Sequence, residues 1–242
     1  MGVLLSVAVA AAIGSGGARA PAPGVIELCG LRLRLDKSEL LHEFKTFDPA
    51  DWTITRNPPK WTVTPGEITG GGPDEPTHGQ VFYKTPVKGD VVLEFDARLV
   101  PPSYHDLVWL WNVRLDKEPW GAGYLGCLGG WWGDYAGIEK LPTFEPSAIN
   151  AWGRIVSGRT YHVVSGSVKG WHFVCVDGKL VTFFADPAVP DPSQPGYFGF
   201  GVYESHAAYS NLKVWRPKLE RGNRKYVPAT RLERGSDTEE RK

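Results

Sequence analysis

Along residues 91–99, VVLEFDARL, apolar and polar side chains alternate. Leu93, Phe95, Ala97 and Leu99 fall on one face, and Val92, Glu94, Asp96 and Arg98 on the other. Period two over this length predicts a half-buried strand with a polar outer face. Residues 106–115, DLVWLWNVRL, read as the next strand, with Trp109, Trp111 and Val113 opposite Leu110, Asn112 and Arg114. Further strands are predicted at 160–167, 171–176, 179–184, 196–203 and 210–216. Asp177-Gly178, between two of these runs, is a hairpin signal, because both residues tolerate the positive φ of a type I′ turn. Ser38 to Phe44 reads either as one short helix or as the approach to the first strand.

Many short strands broken by turns imply an all-β chain of two packed antiparallel sheets. The 29 glycines and 20 prolines agree with that class. The chain divides into a leader at 1–24, one domain at 25–216 and a charged tail at 217–242. The leader carries an apolar run, VLLSVAVAAAIG, too short to span a membrane, followed by Ala18-Arg19-Ala20. It reads as a signal peptide of a secreted or periplasmic protein. An alanine-rich disordered leader is the alternative, since no Lys or Arg precedes the apolar run and Pro21 follows the Ala-Arg-Ala. The tail has no apolar period and reads as disordered. Net charge is zero and no basic face stands out, which argues against a nucleic-acid partner. Cys29, Cys127 and Cys175 form no CxxC pair, so neither a zinc site nor a disulfide scaffold is expected. Cys175, within an apolar strand pattern, reads as a buried thiol.

The chemistry concentrates in one region. Residues 126–140, GCLGGWWGDYAGIEK, set paired indoles among glycines and follow them with acids. A core strand does not need the glycines, and a plain surface loop does not need the tryptophans. Indole and phenol rings offer flat faces to the C–H faces of sugars. Trp131, Trp132, Trp109 and Tyr135 are therefore the candidate sugar-stacking residues, weighed against packing between the sheets. A glycosidase needs two carboxyl groups roughly 5–9.5 Å apart. Glu139 and Glu204 are the acid/base candidates, with Asp134 and His206 as helpers, weighed against solvated loop charges. Glu94, Asp96 and Arg98 either fix sugar hydroxyls or a carboxylate, or form a charge ladder on the outer face of their strand.

The segment DWTITRNPPKWTVTPGEITGGG ahead of a strand pair, the VDGKLV hairpin and the closing YSNLKVW strand together resemble the concanavalin A-like lectin/glucanase superfamily. Within it the layout is most similar to bacterial YesU-like proteins and, more distantly, to the keto-disaccharide hydrolase group. The resemblance implies a two-sheet antiparallel jelly-roll sandwich that grips an oligo- or polysaccharide on a concave sheet. It leaves room for a structural calcium, with no other cofactor expected. Glu94-Phe95-Asp96 matches the spacing of two glucanase acids, but Ala97-Arg98-Leu99 lacks the further glutamate. The expectation is a carbohydrate-active protein that hydrolyses its glycan. A lectin-like binding module, a polysaccharide lyase acting on uronates and a structural scaffold are the alternatives.

Overall fold

The computed structural model describes residues 24–28, 30–55, 61–72, 78–116, 121–130 and 134–221. The segment read as a signal peptide, together with Cys29, Trp120, Trp131 and Trp132, lies outside the described residues.

In chain order the first strands are β1 (Val25–Leu28), β2 (Leu31–Arg34), β3 (Glu39–Glu43), β4 (Trp52–Thr55), β5 (Thr62–Val63), β6 (Ile68–Gly70), β7 (His78–Tyr83) and β8 (Val87–Lys88). The middle of the chain forms β9 (Val92–Leu99), β10 (Asp106–Val113), β11 (Gly123–Gly129), β12 (Tyr135–Leu141) and β13 (Glu145–Ala151). It ends in β14 (Thr160–Val168), β15 (Trp171–Val176), β16 (Lys179–Ala185), β17 (Pro195–Tyr203), β18 (Ala207–Arg216) and β19 (Leu219–Arg221). No α-helix occurs among the described residues.

These strands make an all-β antiparallel jelly-roll sandwich. One eight-stranded sheet runs β16-β15-β14-β9-β18-β6-β5, with β3 also on β18. The facing eight-stranded sheet runs β13-β12-β11-β10-β17-β7-β4, with β8 also on β17. The alternation of β9 has the predicted consequence: Leu93, Phe95, Ala97 and Leu99 enter the core between the sheets. Phe95 is central there, with ring centroids 5.6 Å from Trp109 and 5.2 Å from Phe200. Tyr209 of β18 reaches across the core, its hydroxyl accepting from the Val108 N–H at 3.1 Å and lying 2.8 Å from the Gly201 carbonyl it can donate to.

The hairpin joining β15 to β16 turns at Asp177 and Gly178, with φ of 50° and 79°, as the sequence predicts. Residues 39–43 form a strand, which settles the two readings of that segment in favour of the extended one. Two features were not anticipated. The glycine-rich 126–140 stretch is not a free floor between strands but contributes to β11 and β12 in the interior of the second sheet. Regular structure also continues past residue 216: β19 pairs with β2 and completes a three-stranded sheet, β1-β2-β19. Ile26, Leu28 and Leu33 of that sheet join Val92, Val164, Trp171, Phe173 and Cys175 in a second apolar cluster. That cluster covers much of the outer face of the first sheet, the face read from sequence as polar and open.

Candidate functional site

The outer face of the second sheet carries the site. Register places Cys127, Val108, Gly201 and Gln80 side by side across β11, β10, β17 and β7. Asp106 lies two residues before Val108 on β10, and Tyr203 pairs with His78. Glu139 of β12 sits beside Leu125 of β11. Gly201 keeps the floor low, since a Cβ there would lie 2.8 Å from Val108 Cγ1. The result is a cavity of about 320 Å³ whose wall includes Glu139, Asp106, Gln80, Cys127, Tyr203 and Phe144. The His78 and Tyr203 rings meet edge to face at its margin, 4.0 Å between centroids.

The electrostatics are set by burial. Asp106 is 4% exposed and accepts a hydrogen bond from Ser205 Oγ at 3.0 Å. Burial raises its carboxyl above the ordinary carboxylate range, against the opposing pull of His105 and Ser205. In return the Asp106 carboxylate, 3.8 Å from Nδ1, raises the His105 imidazole. Cys127 lies between the two acids; burial, then Asp106 and Glu139, push its thiol well above the usual range. It therefore stays a thiol, donating to the Gly129 carbonyl at 3.2 Å, and is no nucleophile. Glu139 is 3% exposed. Gln80 Oε1 is a buried acceptor with no partner, which a bound donor would relieve.

Of the residues named from sequence, Glu139 lines this cavity. Tyr135 heads the same strand, shares the parity of Glu139 and is exposed. Glu204 is exposed, with φ of 47°, and acts on the site through the His105 charge. Asp134 is exposed and 3.7 Å from Arg154. His206 stands apart, its imidazole lowered by burial and then by the nearby Arg98. Trp109 is a correction: it is fully buried in the core against Phe95, with no face left for a sugar. Trp111 is buried likewise, stacked on Tyr124.

Glu94, Asp96 and Arg98 belong to the other sheet and do not join Glu139. Nor do the two acids form an exposed ladder. His162 Nδ1 lies 2.8 Å from Asp96 and its Nε2 lies 3.6 Å from Glu94, while Trp215 Nε1 donates to Glu94 at 3.0 Å. Asn211 Nδ2 donates to Asp96 at 2.7 Å, and Arg98 pairs with Glu67 at 2.7 Å. Asp106, Gln80, His78 and Tyr203 were not singled out as site residues. Only cross-strand register brings them to Glu139, although Asp106 at the head of an apolar run was a visible signal. Among the described residues no group of three or more His, Cys, Asp or Glu side chains is placed to hold a metal ion. No helix among them is long and apolar enough to cross a membrane.

No protein-family model and no curated protein matches the sequence. Solved structures do match in shape. Carbohydrate-binding module CBM66 from Bacillus subtilis superposes with a TM-score of 0.54 at 17% identity, covering 69% of this chain and 96% of that one. The exoplasmic/lumenal domain of VIP36, in its Ca²⁺/Man3GlcNAc-bound form, gives 0.55 at 11% identity, covering 78% and 91%. The Bacillus licheniformis β-glucanase gives 0.53 at 11% identity, covering 75% and 98%. What this chain shares with all three is the fold, a jelly-roll sandwich of two antiparallel sheets.

Proposed function

We propose that the chain binds a saccharide in the cavity on the outer face of the second sheet and hydrolyses a glycosidic bond there. The observation that carries this reading is the pair of buried carboxyl groups, Asp106 and Glu139, on one cavity wall with an unsatisfied amide acceptor. The fold neighbours, whose titles name a carbohydrate-binding module, a glycan-bound lumenal domain and a β-glucanase, support a sugar as the partner. Asp106, whose carboxyl burial shifts toward its protonated form, is the acid that donates a proton to the leaving oxygen. Glu139 acts as base or nucleophile. Gln80 Oε1 accepts from a hydroxyl, and Tyr203 and Phe144 supply apolar wall. Tyr135, exposed at the head of β12, adds a stacking surface, and Trp131 and Trp132, outside the described residues, are assigned sugar stacking from the sequence alone. The family assignment remains nearest the YesU-like proteins, then the keto-disaccharide hydrolase group, and residues 1–24 direct the protein to the periplasm or the exterior.

A lectin-like module without catalysis is the second reading, and the low exposure of Asp106 favours it. Incubating the purified protein with a panel of plant and algal polysaccharides separates the readings. New reducing ends are expected, falling about 10²–10⁴-fold in Glu139→Gln and Asp106→Asn while the melting temperature stays close to the parent's. Retardation in glycan gels without products would establish the binding module instead. Ultraviolet absorbance of an unsaturated uronate would establish a lyase.

A further inference from the structure

A second cavity, of about 330 Å³, opens between the two sheets at one end of the sandwich and shares no lining residue with the first. Its walls come from both layers. Asn112 at the end of β10 faces Ser167 of β14, donating from Nδ2 to Oγ at 2.9 Å. That contact depends on a distorted strand. The β10–β17 register slips between Leu110 and Val113, and Asn112 takes a φ of 53°. Gly196 of β17 lies against the distorted residue, since a Cβ there would fall 2.8 Å from Asn112 Cα. A left-handed, non-glycine residue within a sheet costs energy and is retained where the surroundings over-determine it.

His172 supplies the second observation. Its ring is 1% exposed, lines the cavity, and has no partner at Nε2. Trp111 Nε1 lies 3.4 Å from His172 Nδ1. An indole N–H only donates, so Nδ1 accepts, and the neutral ring must carry its hydrogen on Nε2. A buried N–H is thus left unsatisfied at the cavity wall. Ser167 Oγ is occupied as an acceptor by Asn112 and keeps its own hydrogen to donate. Arg114 and Lys169 bring two cationic side chains to the lining, with Lys169 exposed. Arg114 donates to the carbonyls of Asp191 and Pro195, which fixes its plane. Among the described lining residues Asp90 is the one carboxylate, accepting from the Lys169 backbone N–H at 2.8 Å. Outside the lining, the Asp191 carboxylate is lowered by its hydrogen bonds from Ser193 and also by the nearby Arg114 charge. Donors and positive charge dominate, the reverse of the acid-lined cavity on the sheet face.

We propose that this cavity is a separate binding site for a small carboxylate-bearing ligand. The carboxylate lies toward Arg114 and Lys169, and a ligand oxygen takes the His172 Nε2–H and Ser167 hydroxyl. A uronic acid and a simple organic acid both carry this chemistry. The proposal stands independently of glycan cleavage at Asp106 and Glu139.

Calorimetric titration of the full chain with D-glucuronate, D-glucose and acetate tests it. Saturable binding of glucuronate is expected, weakened at least tenfold in Lys169→Gln and in Arg114→Gln and weakened further by added salt, with D-glucose giving no such charge-dependent signal. Lys169 is exposed, so its substitution leaves the fold intact. If acetate binds as tightly as glucuronate, the site reads a carboxylate alone and serves an organic acid. If acetate is tenfold weaker, it serves a uronate. No glucuronate binding, equal binding of glucose and glucuronate, or binding unchanged in both cation variants would overturn the proposal.

Discussion

A Cβ added to Gly126 would fall 2.4 Å from Nε1 of the buried Trp109. The indole therefore occupies the space a side chain would need, and the glycine belongs to the core rather than to a ligand floor. Gly126→Ala should lose about 1–3 kcal/mol in urea unfolding, as overpacking of a dense core does. A loss under roughly 0.5 kcal/mol, within the usual range for an uncrowded surface substitution, would mean that Trp109 is not held there. The same pair marks the limit of the sequence reading at this scale. Period two says that Trp109 and Trp111 share a face, but not whether that face is core or groove. The answer depends on what lies opposite, and a glycine on the neighbouring strand decides it. Glu139 was legible because an acid among glycines and apolar residues stands out locally. Asp106 and Gln80 were not, because their relation to Glu139 exists only across paired strands.

β9, with its alternating pattern, and β15, an apolar run closed by the Asp177-Gly178 turn, were read to within a residue or so. β11 and β12 were not read as strands, because Gly123, Gly126, Gly129 and Gly137 interrupt the apolar pattern and imitate a loop. The tail misled in the opposite way: its charged composition hid a short strand. β19 is held by tertiary partners rather than by its own pattern. The Arg34 N–H donates to the Lys218 carbonyl at 3.0 Å, Glu220 pairs with Lys37 at 2.7 Å and with Arg34 at 3.3 Å, and Leu219 packs on the outer apolar cluster. A chain ending at Arg216 should accordingly be less stable than one ending at Arg221 by about 1–2 kcal/mol, from partial burial of one leucine and loss of ladder hydrogen bonds. Urea unfolding of the two chains measures the difference. Equal midpoints and slopes would show that β1 and β2 cover the first sheet unaided.

At the scale of the whole molecule, the two sheets meet at His172. It belongs to β15 of one sheet, yet it packs on Tyr124 of the other at 3.7 Å and against Phe184 of β16 at 5.1 Å. Burial lowers its imidazole from 6.5 to about 3, with Asp186 opposing the shift and Lys140 adding to it. In the unfolded chain the ring titrates near its ordinary value, so between these limits the unfolded state holds the extra proton. Stability is therefore complete above pH 6.5 and falls as pH drops toward 3. At about 1.4 kcal/mol per pH unit, the loss between pH 6.5 and 4.5 is about 2–3 kcal/mol. The lower end of that window reaches the range in which carboxylates begin to protonate, and the buried Asp106 and half-buried Asp90 are raised toward it. His105, whose imidazole is raised, contributes with the opposite sign, so the parent's curve alone does not isolate the effect. The difference between the parent and His172→Phe does, since phenylalanine keeps the ring packing and cannot take a proton. Unfolding free energies measured in urea across this window should give a parent-minus-variant difference that grows with rising pH, by about 2–3 kcal/mol from pH 4.5 to 6.5, the variant lacking the parent's acid-side decline. Parallel curves would mean that the ring gains its proton inside the folded sandwich, and that this end of the two-sheet interface admits water without unfolding.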